Sequence, residues 1–112
     1  MGALTWIQIP KAWMPTDNEM RLVKMQGKNI VLIQYQGKFY ATSAKCPHAG
    51  ANLAGGFCEN GRIICPYHRH AFNLETGRGD EGQNGYITVY PLKQAVDDWF
   101  IGLERPWYKK WF

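Results

Sequence analysis

Two short segments of this chain carry the residues best suited to bind a metal. Residues 46–48 read Cys-Pro-His and residues 65–68 read Cys-Pro-Tyr-His, so each segment contains one cysteine followed by one histidine. Thiolates and imidazoles are the ligands that zinc and iron–sulfur clusters use in proteins. The pattern therefore predicts a metal site with one of these two as its occupant. Its four candidate ligands are Cys46, His48, Cys65 and His68.

The order of the ligands helps to distinguish a zinc site from an iron–sulfur cluster. A Cys₂His₂ zinc finger usually places both cysteines in one pair and both histidines in the other. Here each segment supplies one of each. That arrangement favours a binuclear cluster with two unlike ends, in which the cysteines hold one iron and the histidines hold the other.

Around these residues the sequence resembles the Rieske [2Fe–2S] family. The similarity rests on Cys-Pro-His-Ala-Gly at 46–50 with Leu53 and Gly56 following, and on the second segment with Phe-Asn-Leu-Glu-Thr-Gly at 72–77 downstream. It extends over roughly residues 38–90. The resemblance implies one [2Fe–2S] cluster per chain, ligated by two cysteines and two histidines.

Alternating β-branched and aromatic residues predict an all-β fold. Turn signals such as Gln26-Gly27, Gln36-Gly37 and Asn60-Gly61 separate the apolar runs at regular spacing, which is typical of an antiparallel β-sandwich or small barrel. The predicted strands cover residues 5–9, 20–25, 28–35, 38–42, 62–64 and 86–90. A closing hairpin of residues 93–96 and 99–103, turning at Asp97-Asp98, is also predicted.

The layout predicts one domain made of two nested parts. A basal β unit takes about residues 1–43 and 78–112, and a cluster-binding subdomain of about residues 44–77 is inserted between them. Resemblance to Rieske domains implies this architecture too. A chain of 112 residues is long enough for one hydrophobic core of its own.

Charge and composition exclude several classes of protein. The net charge is +4, and the basic residues are scattered rather than clustered as nucleic-acid binding requires. Such a surface could still steer an acidic redox partner at low salt. No apolar run is long enough for a membrane span, and no signal peptide is recognisable at the start of the sequence. We therefore expect a cytoplasmic protein without nucleic-acid partners.

The third cysteine, Cys58, is left over once the cluster ligands are assigned. An odd cysteine argues against a disulfide framework. We interpret Cys58 as a buried small hydrophobic residue rather than as a reactive thiol.

The resemblance implies a free-standing ferredoxin that passes single electrons from a reductase to an oxygenase or a similar acceptor. Nothing in the sequence suggests a substrate pocket, a nucleotide-binding fold or a mononuclear iron site, so we expect no catalytic residues and no enzyme activity of the chain alone. Two alternatives stay open at this point. One is a small subunit of a nitrite-reductase-like complex, and the other is a zinc-stabilised interaction module.

Several positions near the ligands depart from the respiratory members of the family. Those proteins carry a disulfide between the two loops, and the matching positions here are Ala51 and Tyr67. Their serine and tyrosine hydrogen-bond donors match His70 and Phe72, of which Phe72 cannot donate. We therefore expect a reduction potential near the low end of the Rieske range, on the order of −150 mV. His70 itself is interpreted as a surface residue, and Leu53 as a shield against water.

The sequence ends in an aromatic segment, Arg-Pro-Trp-Tyr-Lys-Lys-Trp-Phe at 105–112. At helical spacing its aromatic side chains share one face and its lysines another. We expect these aromatic residues to fold back onto the basal unit. Partner docking and a membrane-surface contact are the alternatives.

Overall fold

A computed structural model of the chain describes residues 4–47, 50–66, 69–80 and 85–104. These residues form ten β-strands and two single turns of 3₁₀-helix, at Lys11–Trp13 and Leu53–Gly55. The strands are β1 (Leu4–Ile9), β2 (Met20–Met25), β3 (Lys28–Tyr35), β4 (Lys38–Ser43), β5 (Phe57–Glu59), β6 (Arg62–Ile64), β7 (Ala71–Asn73), β8 (Val89–Tyr90), β9 (Leu92–Ala95) and β10 (Asp98–Glu104). No helix of the described residues is long and apolar enough to cross a membrane.

The strands form three antiparallel sheets. Strands β1, β10 and β9 make the first sheet, and β2, β3, β4 and β8 make the second. Strands β5, β6 and β7 make a third sheet, and among the described strands they pair only with one another. The predicted all-β antiparallel fold is therefore confirmed. The division at residues 44 and 77 stays a prediction, although the third sheet lies wholly within that range.

Strand β3 separates two hydrophobic cores. Successive side chains of a strand point to opposite faces, and all four residues of the run Ile30 to Ile33 are buried. Ile30 and Leu32 pack into one core with Ile9 and Ile101 of the first sheet. Val31 and Ile33 pack into the other core, which contains Cys46, Leu53, Ile63, Cys65, Phe72 and Leu74. The continuous apolar run is thus a strand buried on both faces, and Cys46 and Cys65 lie in the core on one of those faces.

Most predicted strands are present with small shifts at their ends, but one of them is shorter than predicted. The prediction of a strand over residues 86–90 was wrong for its first part, because only Val89 and Tyr90 pair with β4. Tyr86 is 73% exposed and makes a single isolated bridge with Arg78. Its alternating pattern resembled that of a strand, but none of the described strands pairs with it to complete a ladder.

The turn of the closing hairpin lies one residue earlier than predicted. Ala95 pairs with Asp98, so the two turn residues are Val96 and Asp97. Val96 is 93% exposed and has φ of +57°, a conformation that a β-branched residue rarely adopts. Sequence reasoning therefore favoured the Asp-Asp pair. The turn lies at Val96 and Asp97 because the strands pair in the register that places Ile101 opposite Leu92. This register directs the Ile101 side chain into the core.

Candidate metal centre

The first predicted ligand loop leaves the end of β4 and closes on itself. The backbone N–H of Cys46 donates to the carbonyl of Ala51 at 2.9 Å, and that of Gly50 donates to the carbonyl of Cys46 at 2.8 Å. The N–H of Leu53 donates to the carbonyl of Ala44 at 2.7 Å. Gly50 has φ of +68°, which a residue without a β-carbon adopts readily. The loop is therefore held by its own backbone, with Cys46 near its base.

The second predicted ligand loop connects β6 to β7 at the tip of a hairpin. The ladder of this hairpin extends one step beyond the strands, because the N–H of Cys65 donates to the carbonyl of His70 at 2.8 Å. Arg69 then turns the chain with φ of +54°. A left-handed backbone is unusual for a residue with a β-carbon and would suit glycine better.

The structure brings both predicted cysteine ligands into one buried cluster. Cys46 is 1% exposed and Cys65 is 0% exposed, and both belong to the same core with Leu53 and Phe72. Both cysteines are free of disulfide bonds. His48 and His68 lie outside the described residues, so their part in the ligand set stays a prediction.

The described residues fit an iron–sulfur cluster on chemical grounds. Thiolates are strong ligands for iron, and an isolated charged thiolate in an apolar core is otherwise costly. Two buried thiols that meet in one core from two separate loops are therefore well placed to share a metal.

The two loops are nested by a close contact between backbones. A β-carbon on Gly56 would overlap the carbonyl oxygen of Ile64 and would lie 3.2 Å from Cδ of Pro66. Gly56 follows the first loop, and Ile64 and Pro66 flank Cys65. Glycine therefore allows the end of the first loop to lie directly against the base of the second.

Leu53 and Phe72 cover the cysteines from within. Both side chains are 0% exposed and pack in the core that contains Cys46 and Cys65. This burial supports the interpretation of Leu53 as a shield against water. Ala51, which occupies the position of a disulfide cysteine in the respiratory proteins, packs against the same core, and its partner position Tyr67 lies outside the described residues.

His70 is less exposed than a surface residue would be. Its side chain is only partly accessible, and its Nδ1 atom is buried. Its backbone carbonyl accepts the hydrogen bond from Cys65 described above. The interpretation of His70 as a surface residue was therefore incomplete, because the hairpin ladder directs part of the ring inward.

Cys58 lies in β5, opposite Ile63 of β6. Its thiol is half-buried and donates to the sulfur of Met20 at 3.7 Å. Burial raises the pKa of the Cys58 thiol to about 11, so very little thiolate forms near neutral pH. The structure agrees with the prediction of an unreactive, largely structural cysteine.

Two features of the site were missed by sequence reasoning. Strand β5 was not predicted, although Asn60-Gly61 is a strong hairpin signal and implies strands on both of its sides. The second feature is an ion pair between Arg62 of β6 and Asp80. It ties the cluster-bearing hairpin to the segment that follows β7, and no local pattern in the sequence predicts a pair of residues so far apart.

The comparisons with known proteins agree with this arrangement. The model of the Rieske [2Fe–2S] domain family matches residues 5–91. The ferredoxin component of the naphthalene 1,2-dioxygenase system of Pseudomonas aeruginosa is 33% identical over 91 residues, which span 79% of this chain and 86% of that protein. Human apoptosis-inducing factor 3 is 39% identical over 61 residues, or 54% of this chain, but the match spans only 10% of that longer protein.

A solved structure shows the same fold. It is titled a complex of reduced oxygenase and oxidized ferredoxin in carbazole 1,9a-dioxygenase, and one of its chains superposes with a TM-score of 0.75 at 24% identity. The superposition covers 90% of this chain and 95% of that one. The family match, the ferredoxin relative and the two buried cysteines lead to one conclusion: the chain belongs to the Rieske [2Fe–2S] domain family, as the sequence predicted, and the expected cofactor is a Rieske-type [2Fe–2S] cluster.

Proposed function

We propose that this protein is a one-electron carrier, a Rieske-type ferredoxin that passes electrons from a reductase to an oxygenase or a similar acceptor. The observation that carries the proposal is the burial of Cys46 and Cys65 in one core. The ferredoxin relative from Pseudomonas aeruginosa supports it, because 86% of that small protein is matched. The proposal includes both redox partners: the reductase that donates electrons and the oxygenase or similar acceptor that receives them.

The residues of the site have separate tasks in this function. Cys46 and Cys65 would hold one iron, and His48 and His68 would hold the other. The bound cluster supplies the one-electron chemistry, and the chain sets its surroundings. Leu53 and Phe72 exclude water from the side of the cysteines, which limits loss of the metal and preserves a low local dielectric. The carrier itself needs no catalytic residues.

The surroundings of the site favour a low reduction potential. Hydrogen bonds to the sulfur atoms raise the potential of an iron–sulfur cluster. Phe72 fills the core beside the cysteines without a hydroxyl group, and Ala51 cannot take part in a disulfide. We therefore propose a midpoint on the order of −150 mV, the lower end of the range for Rieske centres.

The remaining proposals concern the enzyme activity, the partners and the cellular location of the protein. We propose that it is not an enzyme by itself, that it has no nucleic-acid partner and that it works in the cytoplasm. The basic residues are spread over several elements, as the ion pairs of Lys11, Arg21, Lys38 and Arg62 illustrate. Such a distribution differs from the basic stripe of a nucleic-acid-binding protein.

Spectroscopy on anaerobically purified protein tests the function. We expect visible absorption of an iron–sulfur protein, two irons and acid-labile sulfide per chain. After reduction with dithionite, the electron paramagnetic resonance signal should have an average g value below that of all-cysteine clusters. A colourless protein that holds one tightly bound zinc would instead establish the zinc-stabilised module.

Variants test the ligand assignment in the same experiment. We expect Cys46→Ser, Cys65→Ser, His48→Ala and His68→Ala each to abolish or alter the reduced signal. Cys58→Ser is the matched control, because Cys58 is a thiol of the same chain that packs against Met20. Loss of the cluster in the control alone would overturn the assignment.

A further inference from the structure

Four cationic side chains of the described residues have a carboxylate partner that offsets their charge. Salt bridges join Lys11 to Asp98 at 3.8 Å, Arg21 to Glu19 at 3.1 Å, Lys38 to Glu75 at 3.6 Å, and Arg62 to Asp80. Lys93 lies over the ring of Trp6, with its Nζ 4.3 Å from the ring centroid. Lys24, Lys28 and Lys45 form no salt bridge with a carboxylate of the described residues, and the same holds for Arg69 and Arg78.

Two of these three lysines line the same open groove. The groove has a volume of about 490 Å³ and lies between the β2–β3 hairpin and the first ligand loop. Lys28 and Lys45 line it together with Asn29, Asn52 and Leu22. None of its described lining residues is acidic. The groove is therefore partly apolar and positively charged, and no described side chain of its lining neutralises that charge.

The third lysine lies on the same face of the sheet. Lys24 of β2 is directly opposite Asn29 of β3 in the strand register, and side chains of opposed residues share a face. Leu22 lies two residues earlier on β2 and is 47% exposed. The exposed side chain of Leu22 thus lines the groove with Lys28 and Lys45 and shares its face of the sheet with Lys24. Apolar and charged side chains together are a common composition for a protein-docking surface.

The groove is continuous with the first ligand loop. A β-carbon on Gly50 would lie 3.4 Å from Cε of Lys45, so the stem of this lysine lies along the loop. Lys45 also forms an isolated antiparallel β-bridge with Asn52 through its backbone, and the N–H of Gly50 donates to the carbonyl of Cys46. A molecule seated in the groove would therefore contact the same short loop that holds Cys46.

We propose that this surface, named here the lysine groove and formed by Leu22, Lys24, Lys28 and Lys45, is the docking site for an acidic segment of the redox partner. Carboxylates of the partner would neutralise the three lysines, and an apolar side chain among them would cover Leu22. The inference rests on the proposed electron-carrier function, because it explains how an acceptor or donor is held beside the cluster-bearing loop.

Charge complementarity of this kind acts mainly on the association rate. Opposite charges on two surfaces steer encounter, and salt screens that attraction. At 0.1 M ionic strength, charges further apart than about 10 Å no longer attract strongly. Binding at the lysine groove should therefore weaken steeply as salt is added.

A labelled peptide provides the test. The probe is a fluorescein-labelled oligoglutamate with one central leucine, and its binding to the cluster-loaded protein is followed by fluorescence anisotropy at low ionic strength. We expect the variant with Lys24→Ala, Lys28→Ala and Lys45→Ala to bind roughly tenfold more weakly than the wild type, as expected for lost electrostatic attraction. Leu22→Ala should also weaken binding while leaving the net charge unchanged.

The control variant carries Lys11→Ala, Lys38→Ala and Lys93→Ala, which remove the same number of charges elsewhere on the surface. We expect this control to stay close to the wild-type affinity. Equal losses in both triple variants, or no binding by the wild type, would overturn the proposal. Equal binding of a labelled oligonucleotide or of anionic lipid vesicles at this groove would also overturn it, since the surface would then select only for negative charge.

The visible spectrum of each variant separates this proposal from the proposed function. If the spectrum shows a Rieske cluster but the peptide does not distinguish the two triple variants, only the lysine groove fails. If no iron–sulfur cluster is present, the electron-carrier function fails whatever the peptide does.

Discussion

Gly56 lies against the carbonyl group of Ile64 so closely that the contact leaves no space for a β-carbon. Gly56 follows the first ligand loop, and Ile64 directly precedes Cys65 of the second. The contact lies at the end of the β5–β6 hairpin, beside the pair Phe57 and Ile64, and brings the end of the first loop against the base of the second. The geometry of the metal centre thus depends on the absence of a side chain.

The replacement Gly56→Ala should destabilise the protein and lower its cluster content. The new methyl group would collide with backbone rather than with a flexible side chain, and overpacking of this kind typically costs about 1–3 kcal/mol. The measurement is the melting temperature, together with visible absorbance per chain. Gly55→Ala is the matched control, because its nearest neighbour would be Cγ of Pro66 at 3.8 Å, an ordinary contact. Equal effects of the two variants would contradict the role assigned to the close approach.

The replacement Leu53→Ala should lower the free energy of unfolding by roughly 2–5 kcal/mol, the usual range for a buried leucine. Leu53 is 0% exposed in the core that holds both cysteines, so the cavity would also admit water near the cluster. We expect faster loss of visible absorbance in the presence of an iron chelator. Leu4→Ala is the control, since Leu4 is 47% exposed. Bleaching at the same rate in both variants would argue against a shielding role of Leu53.

The replacement Arg69→Gly should stabilise the protein. Arg69 has φ of +54°, and a left-handed backbone costs a residue with a β-carbon roughly 1 kcal/mol. Glycine removes that cost, although its greater freedom in the unfolded chain offsets part of the gain. Chemical denaturation of the cluster-loaded protein measures the difference. The control Arg78→Gly removes the same charge from a residue outside the left-handed region, and it should not stabilise.

Stability should fall at alkaline pH because of Cys58. Burial raises the pKa of its thiol from 9.0 to about 11, so the unfolded chain loses this proton at a lower pH than the folded chain does. The stability that the buried, protonated Cys58 thiol contributes is therefore fully present below pH 9 and is lost as pH rises through about 11. Burial also raises the pKa of Tyr90, so the comparison must be with Cys58→Ala. The variant should show a shallower decline of melting temperature with pH, and parallel curves would rule out this cause.

The replacement Phe72→Tyr should shift the reduction potential upward. Phe72 is fully buried in the core with Cys46 and Cys65, and a hydroxyl group at the cluster would donate a hydrogen bond that favours the reduced state. A redox titration followed by visible absorption measures the midpoint. Phe57→Tyr is the control, because Phe57 is 45% exposed on β5. A clearly positive midpoint in the wild type would contradict the proposed low potential before any variant is made.

Several features were predictable from short stretches of sequence. The Cys-Pro-His and Cys-Pro-Tyr-His segments predicted the family and the cofactor, because metal ligation depends on residue types at close spacing. Strands β2, β3 and β6 have the predicted bounds, since their patterns end at Gly-containing turns. Local chemistry was sufficient wherever the relevant residues are neighbours in the chain.

Other features depend on which segments lie beside one another in space. Tyr86 continues an alternating pattern but has no strand to pair with, and the turn at Val96 follows from the register that buries Ile101. The ion pair of Arg62 with Asp80 joins positions that no local pattern connects. The sequence by itself determined the family, the cofactor and the all-β class, whose signals are local. Only the tertiary structure decided that Cys46 and Cys65 are buried in one core and that Lys28 and Lys45 line one groove, because both result from packing between distant parts of the chain.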